Sequence, residues 1–243
     1  MSNQEGSKNQ EQTEEEEKNE EEQEASEAEG SIIYNCPCHF CGDDSIVPAT
    51  IGFPAPKFHI EAVMPDYSFC GIELSSYQKQ GKWLVMFSIP SRKHSINASE
   101  IVAFNENYSR FQDINADIIM IIPENIYVIN SWCLTPKAEG GIENISYPLG
   151  SDISYCIHKR YGFVDDDNIY RGTVIIDPDG IVKHISLNDQ NVGRSVEEIL
   201  RLLKGYQYAK ENGEVCPAMW KEGDPTIKPN ITDSKEYFAH KYE

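Results

Sequence analysis

The densest group of chemically capable side chains in this 243-residue sequence is Cys36-Pro37-Cys38-His39-Phe40-Cys41, three thiols and an imidazole in six residues. Such soft ligands suit zinc or copper, although one short cluster lacks the second, distant ligand pair that normally closes a tetrahedral site. The other reading is a set of exposed, oxidisable thiols; no Arg or Lys lies inside the cluster to depress their pKa. The chain holds seven cysteines, an odd number, which fits free or redox-active thiols better than a structural disulfide framework. Cys70, Cys133 and Cys156 fall within strand or helix patterns and read as buried small hydrophobes. Asn97, followed three positions later by Glu100, has the spacing of a capping box ahead of an apolar helix. That spacing predicts Asn97 as the N-cap, holding the turn wound.

The elements that must position these residues alternate between strand and helix from residue 51 onward. Residues 83–89 (WLVMFSI) and 117–122 (DIIMII) are nearly continuous apolar runs, the signature of central strands buried on both faces. Between them Ile101, Phe104, Tyr108 and Phe111 recur at three- and four-residue spacing, which predicts one amphipathic helix and a strand-helix-strand unit. Residues 171–176 and 181–187, joined by Asp177-Pro178-Asp179-Gly180, predict a β-hairpin. A helix over 196–203, with Val196, Ile199, Leu200 and Leu203 on one side, closes the core. This order is that of a thioredoxin-like α/β sheet, which by itself assigns no function.

Charge excludes several roles. Residues 1–30 carry 12 Glu against 2 Lys, a net charge of −10 out of −19 for the whole chain, and offer no apolar surface to offset the entropy of ordering them. They read as a solvated, disordered acidic tail. The rest is still acidic and has no cluster of five basic residues, so a nucleic-acid partner is not expected. No apolar run reaches the roughly 18 residues that span a bilayer, and the amino terminus is too polar for a signal peptide. A cytoplasmic protein with no membrane partner is the expectation. The glycosylation sequons at Asn97, Asn107, Asn144 and Asn230 then carry little meaning.

Several ordered segments resemble the typical two-cysteine peroxiredoxins across residues 51–238. They are Ile51-Gly52-Phe53-Pro54-Ala55-Pro56-Lys57-Phe58, similar to that family's opening strand, then Tyr170-Arg171-Gly172-Thr173, and Asn188-Asp189 with Val192-Gly193-Arg194-Ser195-Val196. Gly213-Glu214-Val215-Cys216-Pro217-Ala218, Trp220 and the terminal Tyr237-Phe238 complete the series. The resemblance implies a thioredoxin-like fold of peroxiredoxin type, a central mixed sheet flanked by helices, with a carboxy-terminal dimerisation arm. It divides the chain into an acidic tail (1–30), a Cys-rich linker (31–50), the thioredoxin-like domain (51–212) and a resolving-cysteine segment (213–243). It also implies self-association into a dimer or a ring of dimers, and no cofactor.

In that family a cysteine in a Pro-x-x-x-Thr-x-x-Cys segment attacks peroxide, becomes a sulfenic acid and is resolved by a carboxy-terminal cysteine of the neighbouring subunit. Here the segment reads Pro90-Ser91-Arg92-Lys93-His94-Ser95-Ile96-Asn97, with Glu100 following. His94 stands at the Thr position and Asn97 at the Cys position. A carboxamide has no accessible anion with which to cleave an O–O bond. Arg171 and Arg194, matching the family's two pocket arginines, are then either ion-pair partners of Glu100 or a small anion site. His94 is either a pocket-filling imidazole or a residual base beside Arg171. Gly140-Gly141-Ile142-Glu143 departs from the family's Gly-Gly-Leu-Gly loop at its last position.

Three functions compete. One is a pseudo-enzyme of the peroxiredoxin fold that works by assembly, as a structural or regulatory subunit or a redox partner. The second is a thiol-dependent peroxidase or oxidoreductase using Cys216 or the Cys36/Cys38/Cys41 cluster. The third is a metal-binding amino terminus, through Cys36, Cys38, His39 and Cys41, on an inert core. Cys216 is either a leftover thiol or, paired with an active paralogue or with thioredoxin, a resolving one. Only the first function accounts for Asn97 and His94 together.

Overall fold

The computed structural model describes residues 48–90, 95–165 and 168–242. The chain divides into two units, Met1–Pro37 and Cys38–Glu243, and all described residues belong to the second. The acidic tail, the Cys36, Cys38, His39 and Cys41 cluster, and His94 lie outside the described residues.

Seven strands form one mixed sheet: β1 (His59–Val63), β2 (Phe69–Glu73), β3 (Trp83–Ser88), β4 (Ala116–Ile122), β5 (Leu149–Ser151), β6 (Arg171–Ile176) and β7 (Val182–Asn188). Their spatial order is β2-β1-β5-β4-β3-β6-β7, with β3, β4 and β5 parallel and the other pairings antiparallel. The helices are α1 (Leu74–Lys79), α2 (Ser95–Glu106), α3 (Tyr108–Gln112), α4 (Ile126–Cys133), α5 (Cys156–Arg160), α6 (Val196–Asn212) and α7 (Ser234–Tyr242). Among the described residues no helix is long and apolar enough to cross a membrane.

The two apolar runs are the middle of the sheet. All six residues of β3 are buried, and alternate side chains serve two cores. Val85 and Phe87 belong to the core that holds Ile101 and Phe104 of α2 and Ile199, Leu200 and Leu203 of α6. Leu84 and Met86 belong to the other, with Phe58, Tyr161 and Phe163. This double burial is why the run shows no alternation in sequence. The expected α/β sheet of thioredoxin type, its hairpin and its closing helix are therefore present.

Four expectations need correction. Residues 51–58 are not a strand: they contribute one isolated bridge, Pro54 to Ile181, and the first strand begins at His59. Pro54 and Pro56 lack the N–H that a ladder requires, and Gly52 turns the chain at φ +85°. The single helix expected through Ile101 and Phe111 is two helices, because the Asn107 amide donates to the carbonyl of Ala103 at 2.9 Å and competes with helix continuation. The closing helix runs on past Leu203 to Asn212 and stops at Gly213, whose left-handed φ of +66° suits a glycine cap. Finally, of the three cysteines read as buried hydrophobes, Cys133 is a buried free thiol and Cys156 is buried but disulfide-bonded, whereas Cys70 is exposed on the edge strand β2.

Candidate functional site

Four side chains separated by up to 97 positions meet at the carboxy-terminal end of β3 and the first turns of α2. Pro90 is buried just beyond β3, and Asn97 and Glu100 lie on α2, one turn apart and both buried. Arg171 opens β6 with its side chain fully buried, and Arg194 sits just before Ser195, the N-cap of α6.

Glu100 is the hub. Its Oε1 accepts from the backbone N–H of Arg194 at 2.7 Å and from Arg194 Nε at 2.9 Å, and its Oε2 accepts from Arg194 Nη2 at 3.1 Å. The same Oε2 is paired with Arg171 Nη1. Arg171 Nη1 also donates to Asn97 Oδ1 at 2.7 Å, and Arg171 Nε to the carbonyl of Gln190 at 3.0 Å. Arg194 Nη1 donates to the carbonyl of Gly172 at 2.6 Å, and its guanidinium lies 5.0 Å from the centre of the Phe87 ring. Close approach at the rim depends on Gly193, where a Cβ would come within 3.3 Å of Ile96 Cγ2.

Burial opposes ionisation of Glu100, but the charge and hydrogen bonds of Arg194, and then the charge of Arg171, outweigh it and hold the carboxyl below its ordinary range. One carboxylate, two guanidinium groups and a neutral amide make a cationic, hydrogen-bonded knot. It can fix α2 against β6 and the start of α6. A guanidinium can polarise an oxygen, but none of these four groups is a thiol, and the Glu100 carboxylate has both oxygens engaged by Arg171 and Arg194.

The expected capping box is absent. Asn97 lies within helix Ser95–Glu106 rather than ahead of it, and the carboxamide oxygen is turned to Arg171. A charge-assisted hydrogen bond to a guanidinium is stronger than a neutral cap on a backbone N–H, so the cation wins the oxygen. Of the two readings of Arg171 and Arg194, the ion-pair one is what the structure contains. Asn97 is also fully buried, so its sequon is closed in the folded chain.

Cys216 is not part of this knot. Its Sγ lies 3.5 Å from the carbonyl oxygen of Gly205 on α6 of the same chain. Burial raises its pKa, opposed by the charge of Arg201. Gly140 takes a left-handed φ of +80°, and Glu143 Oε1 accepts from the backbone of Lys137 at 3.3 Å, closing that loop on itself. No group of three metal-ligating side chains occurs among the described residues.

Residues 51–185 match the AhpC/TSA family, and residues 205–240 match the C-terminal domain of 1-Cys peroxiredoxin. The chain belongs to the AhpC/TSA family of peroxiredoxins. It is 44% identical to peroxiredoxin-1 of Gallus gallus over 193 residues, covering 79% of this chain and 96% of that protein. Among solved structures it is similar to reduced Plasmodium vivax 2-Cys peroxiredoxin, with a TM-score of 0.75 at 35% identity, covering 79% of this chain and all of that one. Plasmodium yoelii thioredoxin peroxidase I gives a TM-score of 0.63 at 33% identity, over 72% of this chain and all of that one.

Within this peroxiredoxin, the sequence pointed to Pro90, Asn97, Glu100, Arg171 and Arg194, and the structure brings the last four into one bonded group. It did not point to Ser88, whose hydroxyl donates to the carbonyl of Tyr170 at 3.0 Å and accepts from the N–H of Gly172 at 3.0 Å, pinning the strand end that carries Arg171. Gln190 and Phe87 were missed as well. A serine inside an apolar strand run was the one available signal, since a buried hydroxyl must find partners.

Proposed function

We propose that this peroxiredoxin-family chain is a pseudo-enzyme that does not reduce peroxide by the family's cysteine mechanism and acts as a structural, regulatory or redox-partner subunit. The observation that carries the reading is the hydrogen bond from Arg171 Nη1 to Asn97 Oδ1. The pocket cation that would stabilise a thiolate is occupied by a carboxamide, which has no electron pair able to take oxygen from a hydroperoxide.

Self-association fits this role. The strand β7 lies at the edge of the sheet, and the segments around Val215-Cys216-Pro217 and Tyr237-Phe238, which resemble the family's subunit-contacting parts, are present. In a dimer of this chain alone, Cys216 has no sulfenic acid to resolve. Opposite an active paralogue it does, and the mixed disulfide would then pass to thioredoxin. The competing reading, Cys216 as an independent peroxidatic thiol, is disfavoured by the upward shift of its pKa.

A peroxide-consumption assay with a thioredoxin-type reductant tests the proposal. The native chain is expected to be no faster than free cysteine, and Asn97→Cys to gain activity. Fast native turnover that disappears in Cys216→Ser would replace the proposal with the competing reading. Fast turnover with every thiol blocked would remove both.

A further inference from the structure

Cys156 is the first residue of the short helix α5 and is disulfide-bonded, whereas Cys70, Cys133 and Cys216 are free thiols. A single bond beside three free thiols is not the framework of a stapled domain. Of the seven cysteines in the sequence, only Cys36, Cys38 and Cys41 remain to supply the second sulfur. Cys38 and Cys41 belong to the same compact unit as Cys156, and Cys36 belongs to the other. The two spell Cys38-His39-Phe40-Cys41, a Cys-x-x-Cys pair, and both lie outside the described residues.

The first described residues lie beside α5. Ala49 donates its N–H to the carbonyl of Arg160, the last residue of that helix, at 2.8 Å. Cys41 precedes Ala49 by eight residues, which reach about 28 Å when extended, while the helix from Arg160 back to Cys156 rises only about 6 Å. The pair is therefore within reach of Cys156. At that end α5 has no side-chain cap: Tyr155, at the N-cap, is left-handed at φ +57°. Its fixed point is His158, whose backbone N–H and Nδ1 both meet the buried Asp152 Oδ2, at 2.8 and 2.7 Å.

We propose that one thiol of the Cys38/Cys41 pair is bonded to Cys156, strapping the amino-terminal segment to α5, and that the other opens this strap by thiol–disulfide exchange. The spare thiol loses its proton, and its thiolate attacks the neighbouring sulfur of the strap. A Cys38–Cys41 disulfide forms, the bond to Cys156 breaks, and Cys156 leaves as a thiolate that takes up a proton. One sulfur is oxidised and one reduced, so no outside oxidant or reductant is consumed. Attack falls on the sulfur of the pair because Cys156 is buried. The switch does not depend on whether Asn97 has ended peroxide reduction.

Tryptic digestion of the full chain without reductant tests the strap. Residues 19–57, which hold all three clustered cysteines, should be joined through Cys156 to residues 138–159, with the bond at Cys38 or Cys41 in fragment spectra. The exchange is tested by holding the chain without reductant at about pH 8.5, near the ordinary thiol pKa, then quenching in acid and alkylating in urea. Cys156 should become alkylated in step with an internal disulfide in residues 19–57, while the total of free thiols stays constant. That release should fall at least about tenfold in Cys38→Ser and in Cys41→Ser and persist in Cys36→Ser. A free Cys156 in the air-oxidised chain, or one joined to Cys36 or to a second copy, would overturn the strap. The exchange would be overturned by a Cys156 that stays linked throughout, that is freed only as two thiols appear, or that is released unchanged in both Cys38→Ser and Cys41→Ser.

Discussion

Arg171 and Asn97, 74 residues apart in sequence, are joined by a 2.7 Å hydrogen bond from guanidinium to carboxamide, with both side chains fully buried. The bond crosses from β6 to α2. It makes the segment that carries the family's reactive residue part of the packed core of this chain. A buried donor that loses its acceptor carries the desolvation cost of the unmade bond, which gives the contact a measurable sign.

Asn97→Leu removes that acceptor while keeping bulk, and should destabilise the chain by about 1–3 kcal/mol. Asn97→Asp keeps the acceptor and sets a second carboxylate against two guanidinium groups, so at neutral pH it should be tolerated within about 1 kcal/mol or stabilise. Urea denaturation of the three proteins separates the cases. If Leu costs nothing, the bond to Arg171 contributes nothing.

Glu100 gives the knot a pH dependence. Its folded-state pKa lies below its ordinary value of 4.5, so the stability it supplies is complete above that pH and is lost as the pH falls through the folded value. Glu100→Gln leaves two buried guanidinium groups without their carboxylate, a loss of about 3–5 kcal/mol at neutral pH. The gap between wild type and variant should narrow as the solution is acidified. A gap that stays constant from neutral pH to below 4.5 would mean that Glu100 is not the charged partner.

Gly172 permits the strand to pass beneath an aromatic ring. A Cβ there would lie 2.1 Å from Phe163 Cδ1, and the glycine's carbonyl and N–H are committed to Arg194 and Ser88. Gly172→Ala should therefore cost at least about 1–3 kcal/mol through overpacking. Gly172→Ala combined with Phe163→Leu should recover part of that loss; equal stability of the single variant and wild type would show that the ring moves aside freely.

The sheet was legible in the sequence because its central strands are buried twice over and its hairpin turn is spelled by Asp177-Pro178-Asp179-Gly180. The pocket residues were legible by their order along the chain, since Pro90, Asn97, Arg171 and Arg194 keep the spacing of the family segments even where identities change. What Asn97 does was not legible. Local spacing favours a cap, and only a cation delivered from β6 diverts its oxygen. The Asn107 break and the position of Ser88 were hidden for the same reason: each depends on which partner a polar side chain finds after folding, and neither changes the apolar pattern.

The thiols should differ in reactivity in an order fixed by exposure and charge. Cys70 is exposed on the edge strand β2, Cys216 is half-buried with a raised pKa, and burial pushes the Cys133 thiol up to about 11. The thiolate is the reactive form, so at neutral pH only about one Cys133 in ten thousand would be ready to react even if a reagent could reach it. Among the described thiols, brief alkylation of the native chain, read by peptide mass spectrometry, should label Cys70 first, Cys216 more slowly and Cys133 only after denaturation. Cys156 should remain unlabelled until its disulfide is reduced. A Cys216 rate well above that of free cysteine would require an activated thiolate at that position, and the peroxidase reading centred on Cys216 would then displace the assembly role argued from Asn97.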